Sequence, residues 1–141
     1  MLQQILVSAG AAVFLFLGLL HAALTLRDLG TPRAFAPRDP ALLQAMQRAR
    51  VRLHPGINLW KAWMGFNLTH SLGLVLFGGG LLYVGLGAPH VFAASAAVQA
   101  VAVLVSVLYL VISAKFFFRT PVIGCALGLG CFLAAIGAGL P

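Results

Sequence analysis

The stretch ILVSAGAAVFLFLGLLHAALTL, residues Ile5 to Leu26, runs for 22 residues without a charge and stops at Arg27-Asp28-Leu29-Gly30. A helix rises about 1.5 Å per residue and the hydrocarbon of a bilayer is about 30 Å thick, so about 20 apolar residues suffice for one crossing. The run reads as a transmembrane span. It ends where a helix C-terminus gains from a basic residue and a following glycine. Three more runs of this kind follow, at about 58–86, 91–114 and 121–140.

Composition points the same way. The chain is 62% hydrophobic and 8% charged, against about 25% charged in a soluble domain, so lipid is the solvent the sequence is written for. Its 141 residues leave room for one integral membrane domain, 1–141, and no second one. The net charge of +7 does not indicate nucleic acid, because nine Lys and Arg are few and lie close to hydrophobic runs. Membrane lipids with anionic headgroups are the expected partner. Cys125 and Cys131, six positions apart on one span, fall on different faces with a rise of about 9 Å and cannot pair with each other. Met1-Leu2-Gln3-Gln4 carries no positive residue and no clear cleavage site follows, so the first run is expected to be retained.

Between the first two spans, Thr31 to Asp39 holds Pro32 and Pro37 and reads as an irregular connection. Asp39-Pro40 then offers an N-cap and a first-turn proline. A short amphipathic helix, about 40–53, should follow and lie along the interface, with Leu42, Leu43, Met46 and Val51 set against Gln44, Arg48, Arg50 and Arg52. His54-Pro55-Gly56 breaks the chain. Trp60-Lys61-Ala62-Trp63 opens the second span as an interfacial belt, with Trp60 as an anchor. The expected fold class is therefore an all-α membrane protein, a bundle of four transmembrane helices with an interfacial helix between spans 1 and 2.

Orientation follows from the cations. Arg27, Arg33, Arg38, Arg48, Arg50, Arg52 and Lys61 belong to the first loop or its edges and Lys115 and Arg119 to the third; the termini and the turn at 87–90 have none. The positive-inside rule makes the basic loops cytoplasmic and both termini external. So complete a bias argues against a dual-topology transporter. In the fourth span, Gly124 and Gly128 form a small-xxx-small pair suited to close helix packing, within the chain or in a homo-oligomer.

Polar residues inside the spans recur on stripes. In the second span Trp60, Trp63, Met64, Asn67, His70 and Ser71 share about 120° of arc at 100° per residue. In the third, Ser95, Gln99, Ser106, Tyr109 and Ser113 form one line; in the first, Gly18, His21, Thr25 and Asp28 do. Lipid offers no hydrogen-bond partners, so these stripes should face a shared interior. His21 lies six residues from Arg27, Asn67 six from Lys61 and Tyr109 six from Lys115, each about 9 Å inside the cytoplasmic boundary. His70 and Ser106 lie nine residues from Lys61 and Lys115, about one turn deeper.

These depths define a candidate pocket for a small ligand: His21, Trp63, Asn67, His70, Ser106 and Tyr109, with Thr25, Asp28 and Lys61 at its mouth. The bland alternative is that the same groups only bond one another and hold the helices in register. Asp28 is expected to pair with Lys61 or Arg27. His21 and His70 are possible axial ligands of a haem, with Trp63 and Phe66 lining the macrocycle. A zinc cage is not expected, since the acids are Asp28 and Asp39 and the chain has no Glu. No Ser-His-acid set with a nucleophile elbow is visible. His54 and His90 receive no role.

Leu20-His21-Ala22-Ala23-Leu24-Thr25-Leu26-Arg27-Asp28 and the segment from Trp60 to Gly73, WKAWMGFNLTHSLG, resemble a family of small, uncharacterised bacterial inner-membrane proteins with four predicted spans. The resemblance covers most of the chain. It implies a location in the bacterial cytoplasmic membrane and points to His21, Asn67 and His70; it brings no activity.

The functional expectation is a non-catalytic membrane protein, either an accessory subunit of a larger membrane-protein partner or a binder of a small lipophilic ligand such as a quinone, haem or lipid. The alternative is a membrane enzyme acting on a lipophilic substrate, with His21 or His70 as acid or base and Asn67 or Tyr109 orienting it. A small transporter ranks third, because no acid lies within the spans to couple protons.

Overall fold

The computed structural model describes residues 1–139. In chain order the elements are helices α1 (Leu2–Gly30) and α2 (Pro40–Arg48), strands β1 (Arg50–Val51) and β2 (His54–Asn58), and helices α3 (Leu59–Gly87), α4 (Pro89–Ala94), α5 (Ala96–Phe116) and α6 (Arg119–Gly137). Among the described residues, α1, α3, α5 and α6 are long and apolar enough to cross a membrane, with 29, 29, 21 and 19 residues. Even the shortest is about 28 Å long at 1.5 Å per residue. The expected end of the fourth span at residue 140 lies outside the described residues.

The chain divides into two compact units, residues 1–17 with 74 onward, and residues 18–73. In the first, the core is Val7, Ala11 and Phe14 of α1, Leu74 and Leu81 of α3, Phe92 of α4, Ala102 of α5, and Cys125, Phe132 and Ala135 of α6. The buried positions Ala102, Ser106 and Ser113 on α5, and Cys125, Gly128, Phe132 and Ala135 on α6, fall on steps of three, four or seven. That is the seam spacing of helices packed at a small angle. Phe14 organises the centre, meeting Phe77 edge-on at 5.0 Å and stacking on Phe132 at 6.1 Å. Gly78 is needed where α3 crosses α1: a Cβ there would collide with the backbone of Leu15, its N and Cα included. Gly124 and Gly128 face α1, where a Cβ would meet Leu17 at 2.8 Å and Phe14 at 2.5 Å. This small-xxx-small pair is thus used inside the chain.

The third apolar run, read as continuous over 91–114, is broken. α4 stops at Ala94, Ser95 turns extended, and its hydroxyl caps α5 by accepting from the Val98 N–H at 3.3 Å. Gln99 Nε2 donates to the Phe92 carbonyl at 2.9 Å, repairing an acceptor that the end of α4 leaves open. Ser95 and Gln99 therefore serve the break.

In the second unit, the Asp39 carboxylate caps α2 by accepting from Ala41 N–H at 2.8 Å, with Pro40 in the first turn. The expected helix to residue 53 ends at Arg48 instead. Ala49 is extended, and β1 pairs antiparallel with β2 across an irregular register, Arg50 opposite Asn58 and Val51 opposite His54. Pro55 lacks an N–H and disfavours the helical region for His54 before it, which suits His54 to open β2. The Leu59 N–H closes the hairpin on the Ala49 carbonyl at 2.9 Å, and the Asn58 side chain caps α3 by accepting from Lys61 N–H at 2.8 Å.

Candidate functional site

The candidate site is built in the second unit from α1, the 31–39 connection and α3. His21 Nε2 lies 3.1 Å from Asn67 Oδ1, and Asn67 Nδ2 donates to the Trp63 carbonyl one turn back at 2.8 Å. The Ser71 hydroxyl donates to the Asn67 carbonyl at 2.8 Å, and the Thr25 hydroxyl donates to the His21 carbonyl at 2.8 Å. His70 turns its ring across that of His21, centroids 5.1 Å apart and planes at 70°. Two imidazoles and an amide from two helices thus share one place.

The connection forms a roof. Both carboxylate oxygens of Asp28, which is fully buried, accept backbone N–H groups: Ala34 at 3.0 Å and Phe35 at 2.7 Å. Phe35 then lies against His21 with ring centroids 4.6 Å apart, and its carbonyl accepts from Trp63 Nε1 at 3.1 Å. Asp28, expected to pair with Lys61 or Arg27, holds these two amides through the strong kind of hydrogen bond that a charged acceptor makes.

The expected pocket residues fall in both units. His21, Trp63, Asn67 and His70 come together, with Thr25 and Asp28 beside them, while Lys61 is exposed and contributes only its backbone N–H to the α3 cap. Ser106 and Tyr109 belong to the first unit. Ser106 is buried and donates to the Ala102 carbonyl at 2.7 Å; the Tyr109 ring lies 6.1 Å from Phe14 and 6.4 Å from Phe77. Trp60, expected as an anchor, is buried, and Trp63 is the more exposed of the two indoles. Phe35 was not foreseen; its one signal in sequence is an aromatic residue between Pro32 and Pro37.

The geometry does not fit a haem held by both histidines. The two rings pack on each other at 5.1 Å, leaving no slot between them for a macrocycle, and Nε2 of His21 is committed to Asn67. Among the described residues no group of three or more His, Cys, Asp or Glu is placed to share a metal ion. Two open apolar grooves, about 350 and 430 Å³, lie in the first unit, one along Phe117, Phe118 and Val122 and the other along Val13, Phe16 and Leu127.

Fold and site define a mostly helical protein with four helices fit to cross a membrane and a roofed imidazole–amide cluster on two of them. No protein-family model, curated protein or solved structure matches the chain.

Proposed function

We propose that the chain is a multi-pass protein of the bacterial cytoplasmic membrane, and that His21, Asn67 and His70 bind the polar head of a small lipophilic molecule of the quinone or lipid class. The observation that carries this reading is the meeting of three polar side chains, from two helices apolar enough to span, beneath an aromatic roof. Polar groups are costly in hydrocarbon and mark function where they gather. A lock between two helices would need only the His21–Asn67 bond; the pinned Phe35 goes beyond it.

The cytoplasmic placement of the basic segments rests on charge and on α2. This helix has no buried residue although it carries Leu42, Leu43 and Met46, and the adjoining hairpin exposes Leu53 at 94% between Arg52 and His54. Such a mixture suits the headgroup layer of anionic lipids.

Native mass spectrometry from a gentle detergent tests the ligand. Wild-type protein should retain a small-molecule adduct that His21→Ala and His70→Ala lose and Arg52→Gln keeps. Spectra identical in adducts for all four proteins would refute the reading.

A second reading, a membrane enzyme using His21 as acid or base, is favoured by one observation: Asn67 fixes the imidazole as an orienting residue would. It predicts turnover of a lipophilic substrate that Asn67→Leu lowers chiefly in kcat.

A further inference from the structure

Two apolar grooves of the first unit meet on α6, and both reach its first turn. The wider, about 430 Å³, runs between α1 and α6 past Val13, Phe16, Ile123 and Leu127, where Ala12 and Gly124 have too little side chain to fill it. The other, about 350 Å³, lies along Phe117, Phe118, Arg119 and Val122 and shares Ile123 with the first. The two helices run antiparallel here, Leu17 against Gly124 and Phe14 against Gly128. From Arg119 to Leu127 the joined grooves follow about 12 Å of helix, most of the roughly 15 Å that one leaflet contributes to the hydrocarbon.

The polar end of this surface carries charge that its own unit does not balance. Lys115 stands in the last turn of α5 and Arg119 opens α6, and the unit has no other Lys or Arg. It has no Asp or Glu, since Asp28 and Asp39 both belong to residues 18–73. Both cations are exposed, and Thr120 beside Arg119 lines the wider groove. A groove that is apolar along its length and basic at its outer end matches an acyl chain joined to an anionic head. Basic recesses between spanning helices on the cytoplasmic side bind acidic lipids for this reason. A second copy of the chain is a poorer occupant. A two-fold contact here would set Arg119 against its own counterpart, and like charges facing each other oppose association. The small pair Gly124 and Gly128 is moreover already taken by Leu17 and Phe14 of the same chain.

We infer that the groove between α1 and α6 holds one acidic glycerophospholipid, its acyl chain against Val13, Phe16 and Leu127 and its phosphodiester on Arg119, with Lys115 adding to the attraction. This rests on the membrane reading proposed above and not on the imidazole site.

Full-length protein stripped of lipid in a mild detergent is titrated with dioleoyl phosphatidylglycerol, dioleoyl phosphatidylcholine or inorganic phosphate and read by native mass spectrometry. One phosphatidylglycerol per chain should bind, about tenfold more tightly than phosphatidylcholine, between the worth of one cation near a headgroup and that of two. Arg119→Gln should lower that preference about fivefold, and Arg119→Lys should keep it. Ala12→Phe, at an exposed position, should fill the groove and weaken both lipids alike. His21→Ala and Arg52→Gln should bind as wild type does. Equal affinity for the two lipids, or a preference that Arg119→Gln leaves intact, overturns the inference. A loss in Arg52→Gln as large as in Arg119→Gln also overturns it, because the attraction would then be diffuse. Displacement of the lipid by inorganic phosphate, or undiminished binding by Ala12→Phe, overturns the acyl part. Dimers that Ala12→Phe abolishes would give the groove to a second copy instead. Protein that stays in solution without detergent would remove the membrane reading as well, whereas detergent-dependent protein without the lipid preference fails here alone. If Ala12→Phe does not fold, the Arg119 variants decide.

Discussion

Asp28 holds the roof of the site through two backbone amides. Its carboxylate holds Ala34 and Phe35, and Phe35 in turn covers His21 and takes the Trp63 indole hydrogen. Hydrogen bonds to a charged acceptor contribute about 1.5–3 kcal/mol each. Asp28→Ala should therefore speed hydrogen exchange at the Ala34 and Phe35 amides roughly ten- to a hundredfold, while the interior amides of α3 keep their protection. Unchanged exchange at both positions would mean that something other than Asp28 holds the roof. Much of this neighbourhood is legible in sequence. His21 and Asn67 stand at equal distance from Arg27 and Lys61, and equal depth on neighbouring helices is what a hydrogen bond between them requires. Phe35 is not legible, because a connection without periodicity gives no face on which to place a side chain.

The helices owe their close approach to single glycines. At Gly78 a methyl group would strike the backbone of Leu15, which cannot swing aside, whereas at Gly80 it would meet nothing within 4 Å. Gly78→Ala should lower stability by about 1–3 kcal/mol, as overpacking does, and Gly80→Ala should be neutral or raise it by about 0.5–1 kcal/mol through helix propensity. Thermal unfolding of both variants in one detergent measures the contrast, and equal loss in the two would contradict the described crossing of α1 and α3. Hydropathy and length alone locate the four long helices, since a continuous apolar run leaves the backbone few other ways to satisfy itself. The break at Ser95 escapes such a reading. Alanines on both sides favour helix, and Val98 at the third position supplies no acidic or amide side chain to complete a capping box. The hairpin after α2 is not legible, because leucine and arginine keep a helix-like pattern up to the break at His54-Pro55-Gly56 whereas the chain leaves the helix already after Arg48.

For the molecule as a whole, charge is the organising feature. Seven of the nine Lys and Arg lie between residues 27 and 61, the other two are Lys115 and Arg119, and the acids among them are occupied: Asp28 by the roof and Asp39 by the α2 cap. The seven cations of the basic segment outnumber its two acids, Asp28 and Asp39, which is why we propose that it lies against anionic headgroups on the cytoplasmic side, with the turn carrying His90 opposite. Site-specific labelling with a membrane-impermeant maleimide in spheroplasts, on a background with Cys125 and Cys131 replaced by Ala, tests this placement most directly. His90→Cys should label in intact spheroplasts and Arg52→Cys only after permeabilisation. Labelling of both before permeabilisation would contradict the crossing by α3, on which the imidazole site depends, and the reverse order would contradict the proposed orientation.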